Sequence, residues 1–242
     1  MSMRFSMIAT LALVHATLVS CAGPSRPQPV DDPSGPNRLR ADERAAGWRL
    51  LFDGGTTAGW RGYRQTSMPS GWRIVDGALT LTGGGGDIIT VDQFADFELT
   101  LEWRIAPAGN SGILYRVSES GEATFHTGPE MQVLDNAGHA DGRNPLSSAG
   151  ACYGLYAPAA DVTRPVGSWN EVRIVANGTR LEHWLNGTRI VDYEIGSSDW
   201  LMRLASSPFR DLPAYGRASR GHIALQDHGD RVDYRSIKIR GH

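Results

Sequence analysis

The chain has 242 residues, 40% of them hydrophobic and 21% charged, with a formal net charge of −2. That is a globular composition, and its near-neutral balance without a basic run excludes a nucleic-acid partner. Twenty-nine glycines and almost no lysine suit a turn-rich β protein.

Residues 1–20 read as a targeting segment: Met1-Ser-Met-Arg4 gives a short positive start, residues 8–19 an apolar run, and Leu18-Val-Ser-Cys21 a cleavage site ending in cysteine. This ending is similar to a bacterial lipobox, so Cys21 is expected to carry lipid. The chain would then face the periplasm at the bacterial cell envelope, touching membrane only through that anchor. Residues 21–44 are read as a flexible tether, because 22–36 are rich in Pro, Ser and Gly. Residues 45–242 are read as one domain. After processing, Cys152 is the remaining thiol, and its small apolar neighbours in Ala149-Gly-Ala-Cys-Tyr-Gly154 suit buried packing rather than nucleophilic chemistry.

Past the tether, Arg49-Leu-Leu-Phe52 predicts a short strand. Trp72-Arg-Ile-Val75 and Ala78-Leu-Thr-Leu-Thr82 predict a hairpin around Asp76-Gly77, followed by the loop Gly83-Gly-Gly-Gly86. FELTLEWR (97–104) alternates clearly: Phe97, Leu99, Leu101 and Trp103 share one face, and Glu98, Thr100, Glu102 and Arg104 the other. Further strands are predicted over 112–117, 130–134, 221–226 and 232–239. In NGTRLEHWLNGTRI (177–190) two Asn-Gly pairs separate three alternating runs, which predicts an antiparallel meander with type I′ turns; glycosylation is the weaker reading of this motif. One short helix is predicted over 199–205, capped by Ser198. Ten or more strands with turn signals and almost no helix predict an all-β fold, an antiparallel β-sandwich of jelly-roll type.

Common catalytic signatures are missing. There is no His-Glu-x-x-His, Cys-x-x-Cys, Walker loop or dinucleotide fingerprint. Nor do three acids alternate along one strand as in retaining glucanases; Glu98 and Glu102 share a face with other residues between them. Polar residues concentrate instead in NSGILYR (110–116), HTGPEMQVLDN (126–136) and GHIALQDH (221–228). Alternation places Leu114 and Arg116 on one face and Tyr115 on the other, and Glu130 and Gln132 opposite Met131 and Val133. His126, Asp135, His139, Asp141 and His228 could supply metal ligands, but their spacing is not diagnostic.

These stretches, with LFDGGTTAGW (51–60), GWRIVDGAL (71–79), DFELTLEWRIAPAGNSGILYR (96–116), YGLYAP (153–158), WNEVRIV (169–175) and HWLNG (183–187), resemble the bacterial 3-keto-disaccharide hydrolase family, also described as 3-keto-α-glucoside 1,2-lyase/3-keto-2-hydroxyglucal hydratase. The resemblance runs from about 48 to 241. It implies a concanavalin-A-like jelly roll whose curved sheet binds an oxidised (3-keto) glycoside or another carbohydrate. Ser207-Pro208-Phe209 departs from the Ser-Lys-Phe pattern of many relatives, which bears on substrate range.

The implied reaction needs a base at carbon 2, a hydrogen-bonding or positive group at the enolate oxygen, and an acid for the departing oxygen. Glu130 and His228 are expected to share the acid and base work. Asn110, Arg116, His126, Gln132, Asp135, Tyr153, Gln226 and Asp227 are expected to contact the sugar, with Arg116, Gln132 and Asn110 orienting it or steadying the enolate. A divalent cation is the alternative to a cationic side chain there. The competing readings are a non-catalytic glycan-binding module and a structural envelope lipoprotein.

Overall fold

A computed structural model describes Met1 and residues 35–241. The chain divides into two units at Asp32 and Pro33, and the architecture below is that of the second. The targeting segment, Cys21 and the tether as far as residue 34 lie outside the described residues. Residues 35–44, read from composition as tether, are instead built into the fold. They carry most of helix α1 (Ala41–Ala45), whose Glu43 is buried and paired with Lys238. Asn37 closes two backbone contacts, accepting from Ser236 N at 2.7 Å and donating to Gly77 O at 2.7 Å.

Thirteen strands follow among the described residues: β1 (Arg49–Leu50), β2 (Trp60–Gly62), β3 (Trp72–Val75), β4 (Ala78–Leu81), β5 (Ile88–Thr90), β6 (Phe97–Ile105), β7 (Asn110–Val117), β8 (Glu130–Leu134), β9 (Asn170–Asn177), β10 (Arg180–Leu185), β11 (Thr188–Glu194), β12 (His222–Leu225) and β13 (Val232–Gly241). The larger sheet runs β11-β10-β9-β6-β13-β4-β3, with β1 also on β13; the smaller runs β2-β5-β12-β7-β8. Every pairing is antiparallel. The molecule is an antiparallel β-sandwich of the jelly-roll class.

Alternation decides which side chains fill the space between the sheets. Phe97, Leu99, Leu101 and Trp103 of β6 meet Ile113 and Tyr115 of β7, Met131 and Val133 of β8, and Ile223 and Leu225 of β12 in one core. The opposite face of β6 is a lattice of ion pairs: Glu98 binds Arg173 and Arg240, Glu102 binds Arg235, and Arg104 binds Asp233. The meander is formed as expected, but its turns differ. Asn186 and Gly187 both have positive φ, 48° and 82°, as a type I′ turn requires. In the first turn Asn177 pairs with Arg180, so Gly178 and Thr179 are the central residues and only Gly178 is left-handed, at 57°. The type I′ expectation fails there because the tight loop begins one residue later.

Helix α2 (Ser198–Ala205) is capped by Ser197, one residue before the expected cap, through Trp200 N to Ser197 Oγ at 3.1 Å. It delivers Trp200 into a ladder of stacked rings, Tyr156–Tyr193–Trp200–Tyr215–Phe209, with successive centroids 4.9, 5.3, 6.0 and 4.2 Å apart. The ladder fastens residues 149–156, which run along the free edge of β8. Gly150 N donates to Gln132 O, Gln132 N to Ala151 O, and Tyr153 N to Glu130 O. That edge is thereby covered rather than exposed.

Candidate functional site

The outer face of the smaller sheet has an apolar half and a polar half. Ile89, Leu114, Val117 and Ala224 form a small buried cluster beneath Tyr63. Beyond it, Glu130 of β8 pairs with Leu114, and Gln132 with Gly112. Gln226 N donates to Gly112 O at 3.0 Å, so Gln132, Gly112 and Gln226 form one row across β8, β7 and the residue that follows β12. Glu130 is 4% exposed, Gln132 1% and Asn110 2%. Both amide atoms of Gln132, Asn110 Oδ1 and Gln226 Oε1 are buried without a hydrogen-bond partner. Unpaired buried amides are costly, and so many on one face mark a place fitted for a polar ligand or ordered water.

The carboxyl of Glu130 lies over Gly112, where there is no side chain. Burial pushes it up to about 8, reinforced by the like charges of Asp87 and Asp141. At neutral pH it therefore holds its proton. Asp87 is also raised, chiefly by burial. It gathers three loops, accepting from Thr124 Oγ1 and, at 2.8 Å, from Asp227 N, while following the glycine loop 83–86. Burial raises the Tyr153 phenol, with smaller contributions from the charges of Asp141 and Glu130.

His228 is exposed in the loop after β12 and meets the ring of His139, in the loop after β8, edge-on at 6.2 Å. Its charge acts on Asp87. His139 Nδ1 accepts from Asp141 N at 3.1 Å, which leaves Nε2 as the protonated nitrogen of the neutral ring. Among the described residues no three His, Cys, Asp or Glu side chains converge as a ligand set for a cation.

The structure thus gathers Glu130, Gln132, Asn110 and Gln226 on one face with Tyr153 beside Glu130, while His228 stands against His139 and acts on Asp87. It does not bring Arg116 to them. Strand β7 carries one extra residue against β12, between the Leu114–Ala224 and Val117–His222 pairs, and Arg116 there has φ 51°. This bulge resets the alternation, so Val117 takes the outward place expected for Arg116. The guanidinium turns to Ala95 O at 2.9 Å and Asp96 Oδ1 at 3.2 Å. Asp135 is also committed to backbone, accepting from Ala108 N at 2.7 Å and Ala137 N at 3.1 Å. It borders a cleft of about 590 Å3 with Trp103, Leu134 and Arg164, whose lining includes neither Glu130 nor His228. His126 caps its own turn, accepting at Nδ1 from Glu122 N. Asp227 accepts from Gly86 N and Gly229 N, both at 2.9 Å, and so shapes the His228 loop.

Three members of the arrangement went unassigned as sugar contacts in the sequence. Asp87 follows a glycine run and immediately precedes a strand of three residues, too short for alternation to assign a face. Asp141 and His139 stood out only as metal-ligand candidates. Pro208 packs beside Gly154, its Cδ 3.2 Å from where a Cβ would stand, so the departure from the Ser-Lys-Phe pattern lies one residue from Tyr153.

Comparison with known proteins agrees with this architecture. Residues 47–240 match the model of the 3-keto-alpha-glucoside-1,2-lyase-like domain. A Bacteroides thetaiotaomicron protein named 3-keto-disaccharide hydrolase is 29% identical, covering 94% of this chain and 95% of its own. The crystal structure of a candidate glycosyl hydrolase from Parabacteroides distasonis superposes with a TM-score of 0.81 at 32% identity, covering 86% of this chain and all of the other. A Bacillus subtilis protein with a galectin-like fold reaches 0.50 at 14% identity over 86% of this chain and 95% of its own, a likeness of fold alone.

Proposed function

Because the chain belongs to the 3-keto-alpha-glucoside-1,2-lyase-like domain family, we propose that it is a carbohydrate-active enzyme that cleaves 3-keto-glycosides by removing the proton on carbon 2 and expelling the substituent on carbon 1. The observation that carries the reading is Glu130: a carboxyl that stays protonated at neutral pH, set among unpartnered amides on one face of a sheet. The name of the Bacteroides thetaiotaomicron relative supports the same substrate class.

A ketone at carbon 3 acidifies the hydrogen on carbon 2. The imidazole of His228 takes that proton, and the bonding pair becomes an enolate whose oxygen accepts hydrogen bonds from Gln132. Collapse of the enolate forms the carbon 1–carbon 2 double bond and breaks the bond to the departing oxygen, which receives the proton of Glu130. Water then adds across the double bond: Glu130 recovers a proton from it, the hydroxyl joins carbon 1, and His228 returns a proton to carbon 2. Asn110, Gln226 and Tyr153 hold the sugar hydroxyls. A positioned acid or base contributes about 100 to 10,000-fold, so both groups are needed.

The test is release of aglycone from a 3-keto glucoside, with the parent glucoside as control. Glu130→Gln and His228→Ala are each expected to lower kcat by about 100-fold or more. Wild-type rates in both variants would remove these roles. A protein that gains melting temperature from plain glycans yet leaves the keto sugar intact would be a binding module. Anchoring through lipid on Cys21 rests on the sequence alone; labelling with radioactive palmitate that persists in Cys21→Ser would refute it.

A further inference from the structure

The polar half of the Glu130 face is built from neutral amides and acids. Its amides are Asn110, Gln132 and Gln226, whose unpartnered atoms include both donors and acceptors. Its acids are Glu130, Asp87 and Asp141, each of which acts electrostatically within this group. The one guanidinium that strand alternation would have placed here, Arg116, is diverted by the bulge to Ala95 O and Asp96. The imidazoles of His139 and His228 meet each other, and the charge of His228 acts on Asp87.

We infer that the site selects substrate by charge: it accepts glycosides whose sugar is uncharged, and it rejects sugars bearing a carboxylate or a phosphate ester. This rests on the reading of the site as a 3-keto-glycoside-cleaving centre. Hydroxyls satisfy amide donors and acceptors alike. An anionic substituent must instead surrender its water beside the Asp87 and Asp141 carboxylates, while the Arg116 guanidinium that could have received it is held at Ala95 O and Asp96. The enolate adds a second negative charge to the same enclosure, so the penalty increases as the reaction proceeds.

The experiment compares a nitrophenyl 3-keto-glucoside with the matching 3-keto-glucuronide, in both anomers, on the full chain. The neutral sugar is expected to have a kcat/KM at least about 100-fold higher. Asp141→Asn is expected to narrow that ratio and Gln226→Arg to narrow it further. Equal rates, or faster turnover of the uronide, would overturn the inference while leaving the hydrolase reading intact. If neither keto sugar is cleaved, the hydrolase reading falls and calorimetry decides the charge rule separately. Binding of a glucose-terminated disaccharide but not its glucuronate counterpart upholds it; equal binding, or binding of neither, overturns it.

Discussion

A Cβ built on Gly112 would stand 2.1 Å from Glu130 Oε1, so the carboxyl of β8 occupies space that the neighbouring strand leaves empty. The other near atoms are also Glu130's, Cδ at 2.7 Å and Cγ at 2.9 Å. Gly112 does not have a left-handed φ, so the backbone itself would accept alanine. Gly112→Ala is therefore expected to displace the carboxyl, abolish aglycone release and cost about 1–3 kcal/mol of stability in urea unfolding. In a Glu130→Ala background the same change should cost little. An equal cost in both backgrounds would show that Gly112 answers to something other than Glu130.

The protonation of Glu130 has a sign that stability can read. The folded carboxyl keeps its proton to about 8, whereas an ordinary glutamate releases it near 4.5. Between those values ionisation favours the unfolded chain, so Glu130 costs nothing below pH 4.5 and progressively more as pH rises to 8. At about 1.4 kcal/mol per unit, the total is on the order of several kcal/mol. Glu130→Gln should accordingly be more stable than wild type at pH 8, with the gap closing towards pH 4. A pH-independent difference would contradict the buried, proton-holding state.

Asp87 contributes to that state through its charge. Asp87→Asn removes one negative neighbour and keeps an acceptor for Asp227 N. Glu130 should then lose its proton more easily, and the alkaline limb of kcat/KM should move to lower pH by roughly one unit. A limb that stays in place would separate the two carboxyl groups.

Arg116 is expected to matter for folding and not for the ligand. Arg116→Met removes hydrogen bonds to Ala95 O and the pairing with Asp96. A loss of about 1–3 kcal/mol with KM unchanged is expected. A raised KM at unchanged stability would return Arg116 to the binding face.

Much of this architecture was legible because period-two alternation is a direct record of burial. Phe97 to Trp103 point into the core and Glu98 to Arg104 out of it, as their order requires. Glu130 and Gln132 were legible for the same reason. Arg116 was not, because a bulge shifts every later side chain to the other face and β7 carries no glycine at the left-handed position to announce one. Asp87 and Asp141 were hidden differently: each stands in or beside a loop, and their approach to Glu130 depends on how loops fold across strands distant in sequence. Asp135 and Asp227 had the right chemistry and the right neighbourhood, but their oxygens are engaged by backbone amides, a use that residue type cannot reveal.

The single surplus residue in β7 has an evolutionary meaning. One residue added to β12 opposite Arg116 would restore regular pairing and carry the guanidinium to the outer side of the sheet, offering an anion a counter-charge with no change in β7 itself. A single insertion in β12 is thus a route by which this scaffold could trade one class of sugar for another.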